Sequence, residues 1–237
     1  MKKPFKFKQF TVEQDRCAMK IGTDGVLLGA WVSIANHPFS ILDIGAGTGI
    51  IALQLAQRSL AEMIDALEID DNAYEQCVDN FENSPWGDRL FCYHASLAEF
   101  VEEIDDKYDL IVSNPPFYSE DYKTTNKSRD TARFNDSLPF SQLIKGASHL
   151  LSDTGVFAVI IRRKEEESFI DAAKETQLFP QRICRVRGNE TSEEKRSLIE
   201  FSFKKDSPKI ETLTIETSRH NYTDDYKSLV AEFYLKM

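Results

Sequence analysis

The sequence predicts an α/β domain built on an open, mainly parallel sheet of seven strands with an antiparallel edge hairpin. Three observations carry this. From residue 41 onward, strand-sized apolar runs alternate with segments of helical spacing, the pattern of βαβ units with right-handed crossovers. The runs are nearly continuous in Ile, Leu and Val, as strands covered on both faces must be. The last two runs, 181–187 and 197–203, are joined by a polar link containing a glycine, which reads as a hairpin.

The elements follow in order. ILDI at 41–44 is the first strand and runs into a glycine turn, after which 50–60 has helical spacing. MIDALEI at 63–69 is a second buried strand, followed by a helix at 73–81 with Asp71 or Asn72 as its expected cap. A third strand is read at 89–94, a short acidic helix at 97–104 and a fourth strand at 108–113. The helix expected at 138–151 carries Pro139 in its first turn, where proline is tolerated. A fifth strand at 155–161 and a helix at 165–176 precede the hairpin. Residues 1–40 read as a basic N-terminal extension, and 41–237 as the core of one domain spanning 1–237. No stretch is long or polar enough to be a linker.

Composition excludes several classes. With 41% hydrophobic residues, sixteen Phe and eight Tyr, the chain is no disordered polymer. No apolar run approaches the ~20 residues of a spanning helix. Cys17, Cys77, Cys92 and Cys184 are scattered without a CxxC pair, so reduced thiols in a cytoplasmic chain are expected, with no metal site. The net charge of −10 speaks against a uniformly basic surface. Local basic islands at 1–20, 123–133 and 181–187 could still hold a polyanion.

Two loops carry the chemistry. Residues 43–49 read Asp-Ile-Gly-Ala-Gly-Thr-Gly, between a strand and a helix. Glycine permits a sharp turn and a close ligand approach. The helix that follows offers free N–H groups and a partial positive charge. Ligands of open α/β sheets sit at such strand tips. The spacing G-x-G-x-G departs from the dinucleotide fingerprint G-x-G-x-x-G. It resembles motif I of the S-adenosyl-L-methionine (SAM)-dependent class I methyltransferases. That resemblance implies a Rossmann-like class I fold and a cofactor site built from Asp43, Gly45, Gly47, Thr48 and Gly49. Glu68, at the tip of the second strand, is the candidate acceptor for the ribose hydroxyls, with Asp70 as its neighbour. Ser96 stands where the family often has an acid meeting the adenine amino group.

The second loop is Asn114-Pro115-Pro116-Phe117, directly after the fourth strand. Two prolines cannot continue a sheet and hold an extended, rigid loop. A rigid loop suits a reacting group, because it needs no ordering when substrate arrives. Methylating a planar amine requires acceptors for its two N–H groups more than a strong base. The Asn114 side-chain oxygen and the Pro115 carbonyl suit that task, and Phe117 offers a ring on which a flipped-out base would stack. The tetrapeptide resembles motif IV of amino-group methyltransferases, which act on adenine N6, guanine N2 or a glutamine side chain.

Together, KIGTDGVLLGAW at 20–31, DIGAGTG, NSPWGDRL at 83–90, SNPPF, RDTAR at 129–133 and the ending FYLKM resemble the tRNA1(Val) adenine-N6 methyltransferase family. The resemblance spans ~16 to 237. It implies SAM-dependent methylation of adenosine 37 in a tRNA anticodon stem-loop, with no metal and no membrane. It further places Lys20 and Thr23 at the wall of the SAM pocket, and Arg129 and Arg133 against RNA phosphate. Phe117 stands where the family more often has Tyr. Two other readings stay open: guanine-N2 methylation of rRNA, and a SAM-binding but non-catalytic RNA-binding or assembly protein.

Overall fold

The computed structural model describes residues 3–116 and 138–237. The expectations placed on Phe117, Arg129 and Arg133 lie outside the described residues.

A small antiparallel ribbon, β1 (Phe5–Lys6) and β2 (Thr11–Val12), precedes helix α1 (Thr23–Trp31). The core alternation then runs β3 (Ser40–Ile44), α2 (Ile50–Arg58), β4 (Met63–Glu68), α3 (Asp71–Glu82), β5 (Leu90–His94), α4 (Leu97–Glu103) and β6 (Tyr108–Ser113). Beyond it lie α5 (Phe140–Leu150), β7 (Leu151–Arg162), α6 (Glu166–Glu175) and the hairpin β8 (Phe179–Arg187) and β9 (Glu194–Ser202). The chain ends with β10 (Lys209–Thr214), the ribbon β11 (Glu216–Ser218) and β12 (Asn221–Tyr222), and α7 (Asp224–Val230).

The main sheet has the order β10-β8-β9-β7-β6-β3-β4-β5. Every pairing is parallel except those of β9, which is antiparallel to both β7 and β8. The expected hairpin is therefore present, but its second strand turns back inside the sheet. Lys209–Thr214 then pairs alongside β8 and makes an eighth strand beyond the seven expected. KIETLT is too polar for a buried strand, yet an edge strand needs only one covered face.

Side chains alternate between two apolar layers, as a strand's period of two requires. Ile41, Leu110 and Ala158 face a layer built with α1, α2, α3 and α7. Their neighbours Leu42, Ile111 and Phe157 face a layer built with α4, α5 and α6. All five residues of β3 are buried, which puts the glycine loop at the tip of the most enclosed strand. Residues 1–40 include α1, whose Val26, Leu27, Leu28 and Trp31 belong to the core, so the packed core begins before residue 41. Among the described residues, no helix is long and apolar enough to cross a membrane.

Local signals explain the boundaries. Asp70, and not Asp71 or Asn72, caps α3, its carboxylate accepting from Ala73 N at 2.9 Å. Its extended backbone places it before the first helical residue, the position a capping side chain needs. Ser96 and Glu99 form a reciprocal capping box at the start of α4.

Candidate active site

The site lies at the carboxyl ends of β3, β4, β5 and β6. The chain leaves β3 through Gly45, Gly47 and Gly49, all in the left-handed region at φ 77°, 57° and 76°. Other residues adopt this conformation at a cost of about 1–2 kcal/mol. The demand is severest at Gly49. A Cβ there would stand 2.5 Å from the Phe81 ring and 2.9 Å from Cys77 Sγ. At Gly45 and Gly47 the added atom would meet nothing within 4 Å, leaving open space beside the backbone.

Glu68 holds this loop in place. Its Oε2 accepts from Gly47 N at 2.7 Å, and its Oε1 accepts from Ile69 N at 2.8 Å and Asp70 N at 2.9 Å. A carboxylate offers about four lone-pair sites, so one remains. Asp43 acts from behind. It is fully buried and accepts from Ala52 N at 3.2 Å, satisfying an orphan donor in the first turn of α2. Its other oxygen, Oδ1, has no partner among the described residues. Burial pushes this carboxyl up to about 7, with the nearby Glu68 charge adding to the rise.

A cavity of about 440 Å³ opens over these groups. Gly45, Gly47, Glu68, Asp70, Ser96, Asn114 and Pro115 line it, so the two sequence motifs meet in one space. Ser113 explains how. Its hydroxyl donates to the Ile44 carbonyl at 2.9 Å and ties the tip of β6 to the tip of β3. Asn114 follows directly, half-buried, and its amide has no hydrogen-bond partner among the described residues. The first turn of α1 lies close by: a Cβ on Gly25 would stand 3.9 Å from Asn114 Nδ2.

Several expected residues sit elsewhere. Lys20 and Thr23 are exposed and do not line the cavity; Cys17, Ala18 and Met19 do. The reason is an anchor: Arg16 pairs with Glu75 at 3.3 Å and with Asp79, pulling the segment before Lys20 across α3. Asp43, Thr48 and Gly49 are buried behind the cavity wall. Ser96 lines the cavity, but its hydroxyl donates to Glu99 Oε2 at 2.7 Å. Sequence reasoning missed Ile69, Leu138 and Gln142, which also line the space. Ile69 carried a readable signal, an apolar residue beside the strand-tip acid, and it is 52% exposed. Leu138 and Gln142 reach the cavity only through the placement of α5.

The basic island at 181–187 is engaged within the fold. Arg182 donates to Glu200 and Glu211, each at 3.3 Å, and lies 3.9 Å over the Trp31 ring. Arg185 donates to Glu166 at 2.8 Å, and Arg187 to Thr214 Oγ1 at 2.8 Å. A broader groove of about 650 Å³, lined by Phe179 and Pro180 among others, lies where β8 begins, at the opposite end of the sheet from Asn114. Among the described residues, no group of three or more His, Cys, Asp or Glu side chains is placed to hold a metal ion.

The cavity fits SAM. The left-handed loop leaves open space at its backbone, an acid stands at the neighbouring strand tip, and apolar surface from Ile69 and Leu138 suits a flat base.

Comparison with known proteins agrees. The model of the methyltransferase small domain matches residues 26–177. The chain is 63% identical to the tRNA1(Val) (adenine(37)-N6)-methyltransferase of Christiangramia forsetii, over 99% of this chain and 98% of that one. It is 47% identical to the protein of the same name from Bacteroides fragilis, over 98% of both. Among solved structures, a predicted O-methyltransferase from Agrobacterium tumefaciens superposes with a TM-score of 0.68 at 20% identity, covering 89% of this chain and 96% of that one. That likeness supports the Rossmann-like class I fold alone. The glycine loop, the strand-tip acid and the Asn-Pro-Pro turn share one cavity on that fold, in a sequence this near its relatives: the chain belongs to the tRNA1(Val) (adenine(37)-N6)-methyltransferase family of SAM-dependent enzymes.

Proposed function

We propose that the chain methylates N6 of an adenine in tRNA, adenosine 37 in the anticodon loop of tRNA1(Val). The observation that carries this is the shared cavity. It places Asn114, whose carboxamide has no hydrogen-bond partner among the described residues, beside a glycine loop suited to SAM. Bound there, SAM supplies an electrophilic methyl group on a positively charged sulfur.

The chain's own residues supply placement. Gly45 and Gly47 let ligand atoms approach the backbone, and Glu68 keeps the loop in register while offering its remaining acceptor site to a ribose hydroxyl. Asp70 sits on the cavity rim while its carboxylate caps α3. Asn114 Oδ1 and the Pro115 carbonyl accept the two N–H groups of the target amine. As the lone pair turns toward the methyl, those acceptors favour tetrahedral nitrogen; once the methyl is transferred, the nitrogen is strongly acidic and gives its extra proton to water. Fixed orientation supplies most of the acceleration. Phe117 would stack the flipped base, and Arg129 and Arg133 would contact phosphate.

The test is methyl transfer from labelled SAM into tRNA and rRNA lacking endogenous modification, followed by nucleoside mass spectrometry. N6-methyladenosine in a valine tRNA is the expected product. N2-methylguanosine in rRNA would overturn the substrate while keeping the fold.

A further inference from the structure

Helix α3 lies outside both sequence motifs, yet it touches both walls of the cavity. One side chain does so with both of its amide hydrogens and its oxygen engaged. Asn80 is 2% exposed. Its Nδ2 donates to Thr48 O at 2.9 Å, within the glycine loop, and to Glu13 O at 3.0 Å. Its Oδ1 accepts from Glu13 N at 2.8 Å. The carboxamide therefore pairs with Glu13 as a neighbouring strand's peptide would, and spends its second hydrogen on the loop.

The segment so held is 13–19, whose Cys17, Ala18 and Met19 line the cavity. Three further contacts pin it to the same helix. Arg16 N donates to Gln76 Oε1 at 3.1 Å, and the Arg16 guanidinium pairs with Glu75 and Asp79. Gln76 is as buried as Asn80, at 1% exposure. The helix also packs Cys77 and Phe81 against Gly49. One face of α3 thus carries the glycine loop on one side and the N-terminal strap on the other.

We propose that Asn80 is a positioning residue for the cofactor: it sets the distance between the glycine loop and the strap, so both walls are in place before SAM arrives. This rests on the reading of the cavity as a SAM site. A wall that must be ordered at binding weakens affinity by its ordering entropy, and a pre-placed wall does not. Asparagine fits because it alone at this size offers two donors and an acceptor on one plane. Aspartate has the same shape but loses both donors and turns its charge toward the Glu13 and Thr48 carbonyls.

The experiment compares wild type, Asn80→Asp and the surface variant Arg16→Ala by calorimetry with SAM, steady-state transfer to tRNA, and limited tryptic cleavage after Lys20, a site all three share. Asn80→Asp is expected to raise the SAM Kd roughly tenfold. Its kcat at saturating SAM should stay within about twofold, because Asn80 touches no reacting atom. Arg16→Ala, being at the surface, should raise Kd by about threefold. In wild type, SAM should slow cleavage of the strap after Lys20; in Asn80→Asp that protection should shrink. Wild-type SAM affinity in both variants would overturn the proposal, even if thermal stability had fallen. Should Asn80→Asp fail to fold, unchanged affinity and unchanged protection in Arg16→Ala would overturn it. Failure of the wild-type chain to bind SAM would sink the cofactor reading instead, an outcome the wild-type control reports by itself.

Discussion

At the tips of β3, β4 and β6, polar groups face open space, whereas on the flank made by β8, β9 and β10 the charged groups face one another. Asn114 has no hydrogen-bond partner among the described residues, and behind the cavity wall a buried oxygen of Asp43 also has none among them. On the flank, burial alone would push Glu166 up, but Arg185, Ser197 and Arg163 outweigh it and hold its carboxyl below the usual range. Glu211 is likewise held low, by Trp31 and Arg182 against its burial. Both regions are rich in residues that bind ligands elsewhere. Unsatisfied hydrogen-bonding capacity separates them, since a paired charge has little left to offer a partner.

Replacing Asn114 should make the largest difference at the open end. Asn114→Ala is expected to lower kcat by about 10²–10³-fold, the range for losing one well-placed polar contact to a reacting group. SAM affinity should stay within about twofold, as read by single-turnover transfer and calorimetry. Equal loss of both would mean that Asn114 builds the cofactor pocket.

Gly49→Ala tests whether the open end is held as tightly behind as it is free in front. The left-handed φ of 76° and the contact with Phe81 should together destabilise the fold by about 3 kcal/mol in thermal unfolding. Gly45→Ala, with φ of 77° but open space, should lose only about 1–2 kcal/mol. Equal losses would show that backbone strain alone governs both positions.

Asp43 gives a pH signature. Its folded value of about 7 lies above the unfolded value of 3.8, so folding favours the protonated form. Its contribution is complete below pH 3.8 and is lost as pH rises to about 7. Asp43→Asn should therefore flatten the fall in stability across that window. A slope identical to wild type would assign the titration to another group.

The smallest expected effect is on RNA. Because Arg185 is held by Glu166, Arg185→Ala should leave the salt dependence of tRNA binding unchanged. A slope reduced by about one would show that Arg185 reaches phosphate and would erase the contrast between the two regions.

The alternation of apolar runs was enough to place β3 to β7 and α2 to α6, because period and run length are local properties. The glycine loop and the Asn-Pro-Pro turn were equally legible, since φ above zero and consecutive prolines leave few alternatives. The hairpin was visible but not its insertion between β7 and β8, which depends on how the sheet closes. The arginines at 182–187 looked like a ligand surface until Glu166, Glu200 and Glu211, remote in part from them in sequence, came to lie against them. Lys20 and Thr23 missed the cavity for a similar reason: pairing of Arg16 with α3 sets which neighbours cover it. Residue type and spacing thus specified the βαβ frame and the two reactive loops. Which polar groups remain free to act was settled only by folding, because a partner's distance in sequence says nothing of its distance in space.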